Sequence, residues 1–531
     1  MNKILVTLPD GSARSLFLQE GETALRAAQL LQKENPYPYL LCRIRHETKR
    51  LTVVLNDGDE LQLLDLRDSS ANLSMQSSLA FLYTKAVHDV LGSSVPVTIA
   101  NSLSKGVFTQ IRTSGIRNET AKAISWHMQE MINEDLPFEE VGRNGQMTEY
   151  RLDGELQSFV LPLVPSTGCL NAFEVRRYKN GMLLRFPHRS DPLHVPPYEE
   201  ESLIYDAYSE ASRWDKILGV HYADDLNRKI DNGEFEDMVL LSEALHEKRV
   251  AEIAEAIRSN NKRIILIAGP SSSGKTSFAK RLCIQLRVIG LRPIYLGTDD
   301  YFKERSETPL DEDGNKDYES LNAIDTVLFG EQMTSLLKGK KTDIPTYDFI
   351  KGEKIFGKRI TTAEPNQPIV IEGIHGLNPL LTMNIPEDTK YRIYISPLTQ
   401  LNIDPLNRIP VTDTRLLRRI VRDNRYRGYD AAHTITSWLL VRAGEEKYIF
   451  PFTDYADTFF NSSYIYEFGV LKKYAEPLLK EIPAEDPAYP EAQRLLASLS
   501  HFTASTDEGI PNNSLLREFI GGSVLVHKET E

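Results

Sequence analysis

The chain has little cysteine, no long apolar run and no surplus of positive charge. Its three cysteines, Cys42, Cys169 and Cys283, lie far apart, so no paired metal-ligand spacing is present. That usage suits buried thiols in a reducing compartment, and a cytoplasmic location is expected. No stretch approaches the roughly 18 apolar residues that a membrane-crossing helix needs, so no membrane contact is expected. The opening Met1-Asn2-Lys3-Ile4-Leu5-Val6 reaches a turn at Pro9-Asp10-Gly11 too early for a secretory signal. Low-complexity tracts are also missing. The formal net charge of −13 disfavours non-specific binding to a nucleic-acid backbone.

What remains is ordinary globular composition, 41% hydrophobic and 26% charged, over 531 residues. That length exceeds one growing core and predicts several domains. Residues 1–66 read as a small, mostly β unit. Strands are expected over 4–8 and 15–18, then a helix carrying Leu25, Ala28, Leu30 and Leu31, then strands over 51–55 and 60–64. Residues 70–225 form a second unit with a helix over 79–91. Residues 226–262 show helical apolar spacing and read as a connecting helix, with a domain boundary just before Lys262. The unit over 263–480 carries the chemistry, and 481–531 read as a docked tail.

The run Arg263-Ile264-Ile265-Leu266-Ile267-Ala268 suits a strand buried on both faces. It leads straight into Gly269-Pro270-Ser271-Ser272-Ser273-Gly274-Lys275-Thr276, and Ser277 opens a helical pattern that stops at Gly290. Strand, GxxxxGKT and helix together define a phosphate-binding loop. Its glycines let backbone N–H groups curl around phosphate oxygens, and the helix start adds unsatisfied donors. Lys275 is expected to reach the β- and γ-phosphates, and the Thr276 hydroxyl to ligate Mg²⁺.

Three further segments turn a nucleotide site into a phosphotransferase site. The strand over 292–296 delivers Asp299 at its carboxyl end, expected one strand along from the loop, as acceptor for a hydroxyl proton. The apolar strand over 368–371 ends in Glu372, an acidic residue placed to hold Mg²⁺. The segment Asp413–Asp423 brings Arg415, Arg418, Arg419 and Arg422 onto adjoining helix faces, and Arg427-Gly428 reads as the turn of a closing lid.

In this order, "GPSSSGKT", "TDDYF", "YESLNAID", "IPTYDF", "IVIEGIHGL" and "DTRLLRRIVRDNRYRGYD" resemble the uridine kinase and phosphoribulokinase group of P-loop kinases. The resemblance implies a doubly wound parallel α/β sheet, ATP as donor, and a nucleoside whose 5′-hydroxyl meets Asp299. It also implies that Tyr301 and Tyr347 lie along the nucleoside, and that Arg419, Arg422 and Arg427 serve the lid and phosphates. Glu319 stands where the group carries a ribose-gripping aspartate. Gly352 and Lys354 occupy the region of a pyrimidine-side histidine, and Tyr429 replaces a usual arginine, so pyrimidine specificity is not expected to carry over.

Ahead of it, "LPDGS…GETALRAAQLL…LNDGDEL" resembles the TGS domain of threonyl-tRNA synthetases, a β-grasp-like unit. "HMQEMINEDLPFEE" resembles the α+β second additional domain, where misacylated tRNA is edited. Its metal-binding HxxxH reads Thr84 to His88 here, and Cys169 and His188 are the nearest downstream ligand types. The three units in one chain resemble a bacterial nucleoside kinase family of composite architecture. The front half could then be a substrate-side lid, a homo-oligomer contact or an RNA or nucleotide sensor. The other readings are a kinase of another hydroxylated small molecule, such as a sugar phosphate, and an RNA-binding regulator switched by ATP. The second would require a basic surface on residues 1–225, where Arg43, Arg45, Lys49 and Arg50 are the main candidates.

Overall fold

The computed structural model describes residues 1–113, 115–310, 314–399 and 401–526. At its centre the strand Ile264–Ala268 is buried at every position. Alternate side chains face opposite ways: Ile265 and Ile267 join one core, Ile264 and Leu266 another. Ile294–Gly297, Ile369–Glu372, Ile264–Ala268, Lys390–Ser396 and Thr458–Asn461 lie in that order, all parallel. The strand leading to Asp299 is therefore not next to the phosphate loop. Ile369–Glu372 lies between them, so the expected adjacency is corrected by one strand. The chain then crosses from Glu372 to Lys390 on the other side of the central strand, and ligands of open parallel sheets bind at such a switch point.

Helices cover both faces. Lys275–Val288, Val411–Arg427 and Glu467–Lys480 share one core with Phe235–Ser259. Val250, Ile253, Ala254 and Ile257 are fully buried there beside Phe278 and Leu282. The stretch expected as a connector thus packs as part of the kinase core, because its apolar stripe has the phosphate-loop helix to cover it. The tail does likewise: Leu495, Leu515, Leu516 and Phe519 are buried in the same cluster.

Residues 1–66 form a mixed sheet of Asn2–Thr7, Ala13–Leu18, Leu41–Ile44, Glu47–Arg50 and Glu60–Leu64. The order is second, first, fifth, third, fourth, with the helix Ala24–Leu31. No strand forms over 51–55. Leu51 and Leu55 are buried, but the carbonyls of Leu51 and Val53 accept from Leu25 and Ala24 and so cap the helix start. The hairpin over 41–50 turns through Arg45 and His46, both at positive φ, which lack the usual glycine signal.

The second unit sets the helix Ser69–Leu91 against antiparallel strands. His88 is bound by Glu155 at 2.9 Å and faces Val95 O at 3.1 Å. The loop before the helix Val411–Arg427 ties this unit to the kinase. Ile99 N–H donates to Pro405 O at 2.8 Å, and Asn407 Nδ2 to Ser158 O at 2.9 Å. Among the described residues no helix is long and apolar enough to cross a membrane.

Candidate active site

The phosphate loop is shaped by what cannot fit beside it. A Cβ on Gly269 would lie 2.1 Å from Ile395 O of the neighbouring strand. Ser272 and Gly274 adopt φ of +60° and +85°, which turns successive amides inward. The helix starts at Lys275, so the amides of Lys275, Thr276 and Ser277 have no helical acceptors. Lys275 Nζ rests on the loop's own carbonyls, Gly269 O at 2.9 Å and Pro270 O at 3.1 Å. Burial lowers its pKa, against the opposing charges of Glu372, Glu518, Asp299 and Glu445.

Two arginines expected on the lid lie beneath the loop instead. Ser271 N–H donates to Glu445 Oε1 at 2.9 Å, and Ser271 O accepts from Arg415 Nε at 2.9 Å. Arg415 Nη2 also pairs with Glu445 Oε1, closing a clamp on one residue of the loop. Arg418 Nη1 reaches Ser272 O at 3.4 Å, while its Nη2 holds Glu467 at 2.7 Å. Both arginines are buried.

Glu372 ends its strand facing Thr276. Its Oε1 accepts from Thr276 Oγ1 at 3.0 Å and from the Tyr295 hydroxyl at 2.8 Å. Its Oε2 is buried without a hydrogen-bond partner among the described residues. Burial raises the Glu372 pKa. This carboxylate and the Thr276 hydroxyl are the oxygen pair that could hold a hard cation, with phosphate and water completing the shell.

Asp299 lies on the turn Thr298–Tyr301 beyond the edge strand. The two neighbouring aspartates divide their work. Asp300 accepts from Arg359 Nη1 at 2.7 Å, whereas the Asp299 carboxylate accepts no hydrogen bond among the described residues. Protein closing around Asp299 raises its pKa; Lys275 opposes this and Asp300 adds to it. Glu319 is exposed and likewise without a side-chain hydrogen bond among the described residues. Protein gathered on one side of its carboxylate raises its pKa, while Lys275 and Arg419 pull the other way. Asp299, Glu319 and Glu372 are thus each within electrostatic reach of Lys275.

Tyr301 does not join them. It is fully buried, its hydroxyl donates to Gln332 Oε1 at 2.9 Å, and its ring meets Phe329 edge-on at 5.1 Å. The tight turn at Asp299 points Tyr301 into the core and Phe302 outward. Phe302 forms an aromatic group with Tyr318, Tyr347 and Phe349 at centroid distances of 6.1, 5.6 and 6.2 Å. Tyr347 belongs to this group, and Phe349 is 62% exposed, leaving an apolar ring face open beside the turn that carries Asp299.

The remaining arginines gather on one buried carboxylate. Arg419, Arg422 and Arg427 approach Asp423 at 3.2, 2.8 and 3.3 Å. Arg419 Nη1 also donates to Ser271 Oγ at 2.9 Å, and so touches the loop; Arg422 and Arg427 are joined to it through Asp423. The sequence offers Asp413, Asp423 and Asp430 as alternative partners for these arginines, and Asp423 is the one that takes all three, with Arg419 and Arg427 four residues to either side of it on one helix. Sequence reasoning missed Glu445 as the loop clamp and Glu518, whose carboxylate reaches Ser277.

The model of the phosphoribulokinase/uridine kinase family matches residues 264–465. A uridine kinase of Macrococcus caseolyticus is 30% identical over 195 residues, 36% of this chain and 85% of its own. One from Ligilactobacillus salivarius is 30% identical, over 38% of this chain and 86% of its own. The solved structure of a possible uridine kinase from Bacillus stearothermophilus aligns at 19% identity over 41% of this chain and 97% of its own, with a TM-score of 0.26. The curated relatives cover little more than a third of this chain, and over residues 264–465 it belongs to the phosphoribulokinase/uridine kinase family, as a phosphotransferase that uses ATP and a hydroxyl acceptor.

Proposed function

We propose that the chain transfers the γ-phosphoryl group of ATP to the 5′-hydroxyl of a nucleoside. The observation that carries this reading is Asp299: a carboxylate with no hydrogen-bonded partner among the described residues, within electrostatic reach of Lys275, beside an open aromatic group. Phosphoryl transfer needs positioning, charge neutralisation and an acceptor for the hydroxyl proton. Asp299 takes that proton. The loop amides and Lys275 bind the donor phosphates. Arg419, reaching Ser271, is the lid arginine best set to follow charge onto the transferring group. The exposed ring of Phe349, backed by Phe302 and the buried Tyr347, offers stacking surface to a planar base, which favours a nucleoside over a sugar phosphate. Glu319 is the candidate for the ribose hydroxyls.

Thr276 and Glu372 fit Mg²⁺, because Glu372 Oε2 is a buried oxygen without a hydrogen-bond partner among the described residues. When bound, the ion would neutralise charge on the donor phosphate oxygens. For the front half, the sheet order of residues 1–66 supports a TGS-like reading.

The test is ADP release across a panel of nucleosides, comparing wild type with Asp299→Asn. One nucleoside should stimulate turnover, and the variant should lose roughly a hundredfold. Stimulation by a sugar phosphate alone would sink the nucleoside assignment. The pH profile supplies a second check. Asp299 must be ionised to act, and its pKa is raised, so kcat/KM should fall as pH drops through a midpoint above the ordinary aspartate value of 3.8. A midpoint at or below that value would remove Asp299 as the base.

A further inference from the structure

The segment 514–520 lies outside the stretch that the family model matches, yet it is seated on the phosphate loop. Leu515 fills the space over Gly274, where a Cβ would stand 1.9 Å from Leu515 Cδ2. Glu518 Oε2 accepts from Ser277 Oγ at 2.6 Å and from Ser277 N at 3.3 Å. Phe519 packs under the Arg418 guanidinium at 5.0 Å. Gly521, at φ +94°, brings the backbone so close to the lid helix that a Cβ would meet Arg425 Nε at 2.4 Å. Arg517 anchors the segment through Asp507 O at 2.6 Å and Ile510 O at 2.8 Å. Ser277 is sealed from solvent.

The chemistry of that contact is specific. The first-turn amides of the loop helix are the donors that a polyphosphate takes, and Ser277 supplies one of them. A carboxylate oxygen already holds both its N–H and its hydroxyl. Phosphate and carboxylate cannot share one donor pair at hydrogen-bond distance, and their like charges repel. Glu518 also adds to the negative charge around Lys275.

We propose that the C-terminal segment is a built-in occupant of the donor site: Glu518 stands in for a phosphate oxygen on Ser277, and ATP must displace it to bind. This rests on the reading of the loop as the ATP site. A site open only part of the time binds with an affinity reduced by its open fraction.

The test uses the full chain, with and without Glu518→Ala and Glu518→Gln, and measures ATP binding by calorimetry without acceptor. Hydrogen exchange of the peptide covering 510–526 is followed in the same samples. Glu518→Ala should bind ATP about tenfold more tightly than wild type, and Glu518→Gln, which keeps shape but loses charge, should also gain. In wild type, ATP should raise exchange over 514–520. Equal or weaker ATP binding by both variants, or protection of the segment by ATP, would overturn the proposal and make the segment a wall of the site. Absence of ATP binding in wild type and variants alike would instead remove the loop assignment, and the inference with it.

Discussion

Glu445→Ala should lower the stability of the kinase unit by about 3–5 kcal/mol, because it strands the buried Arg415 charge. Glu445 and Arg415 are each 1% exposed, so water cannot replace the lost partner. A unit of this size loses about 2–4 °C in melting temperature per kcal/mol, so a drop of roughly 10 °C is the expected reading. The pair nevertheless does more for position than for stability. Burial is the largest influence on Arg415 and draws its pKa down despite Glu445, so dehydration weighs heavily against the attraction. Replacing both partners with apolar residues, as in Arg415→Met with Glu445→Leu, should therefore recover most of the lost stability. It should not recover ATP affinity, since both the N–H and the carbonyl of Ser271 would lose their anchors. Melting curves and ATP titrations on the two single variants and the double variant check this. Restored ATP binding in the double variant would make the clamp a stability device only.

The parts of the site that are local in sequence were legible in it. The strand, the loop and the helix of residues 264–288 follow from β-branched runs, glycines and a run of helix formers within one short window. Asp299 and Glu372 were legible for the same reason, as acidic residues at the ends of apolar strands. What sequence could not give is pairing across distance. Glu445 meets Ser271 across 174 positions and Glu518 meets Ser277 across 241, and no periodicity encodes such contacts. Tyr301 shows a subtler failure. The motif offers two successive aromatic residues, and only the turn geometry decides that Phe302 faces the site while Tyr301 fills the core. Arg415 and Arg418 read as lid residues because arginine is normally exposed. Yet Arg418 falls within the stripe of Thr414, Leu417 and Val421, whose spacing marks the buried face of the helix.

Lys275→Met should abolish most turnover while leaving the fold as stable as wild type or more so. In the structure the ammonium is held by two loop carbonyls and makes no ion pair within 4 Å among the described residues. Its pKa is lowered, with burial as the leading cause, so the charged form is disfavoured where it stands. A thioether of similar length removes that dehydration cost and fills the same space. The catalytic role proposed for Lys275 runs the other way. An ammonium set against the donor phosphates stabilises charge that grows in the transition state, and losing such a contact costs about a thousandfold in kcat. A strained charge kept for function and a small stability cost borne by the fold are then one fact seen from two sides. Melting temperature and ADP release measured on the same preparation decide it. A variant that melts several degrees below wild type would show that the ammonium supports the loop itself, and one that retains a tenth or more of the turnover would take Lys275 out of the catalytic machinery.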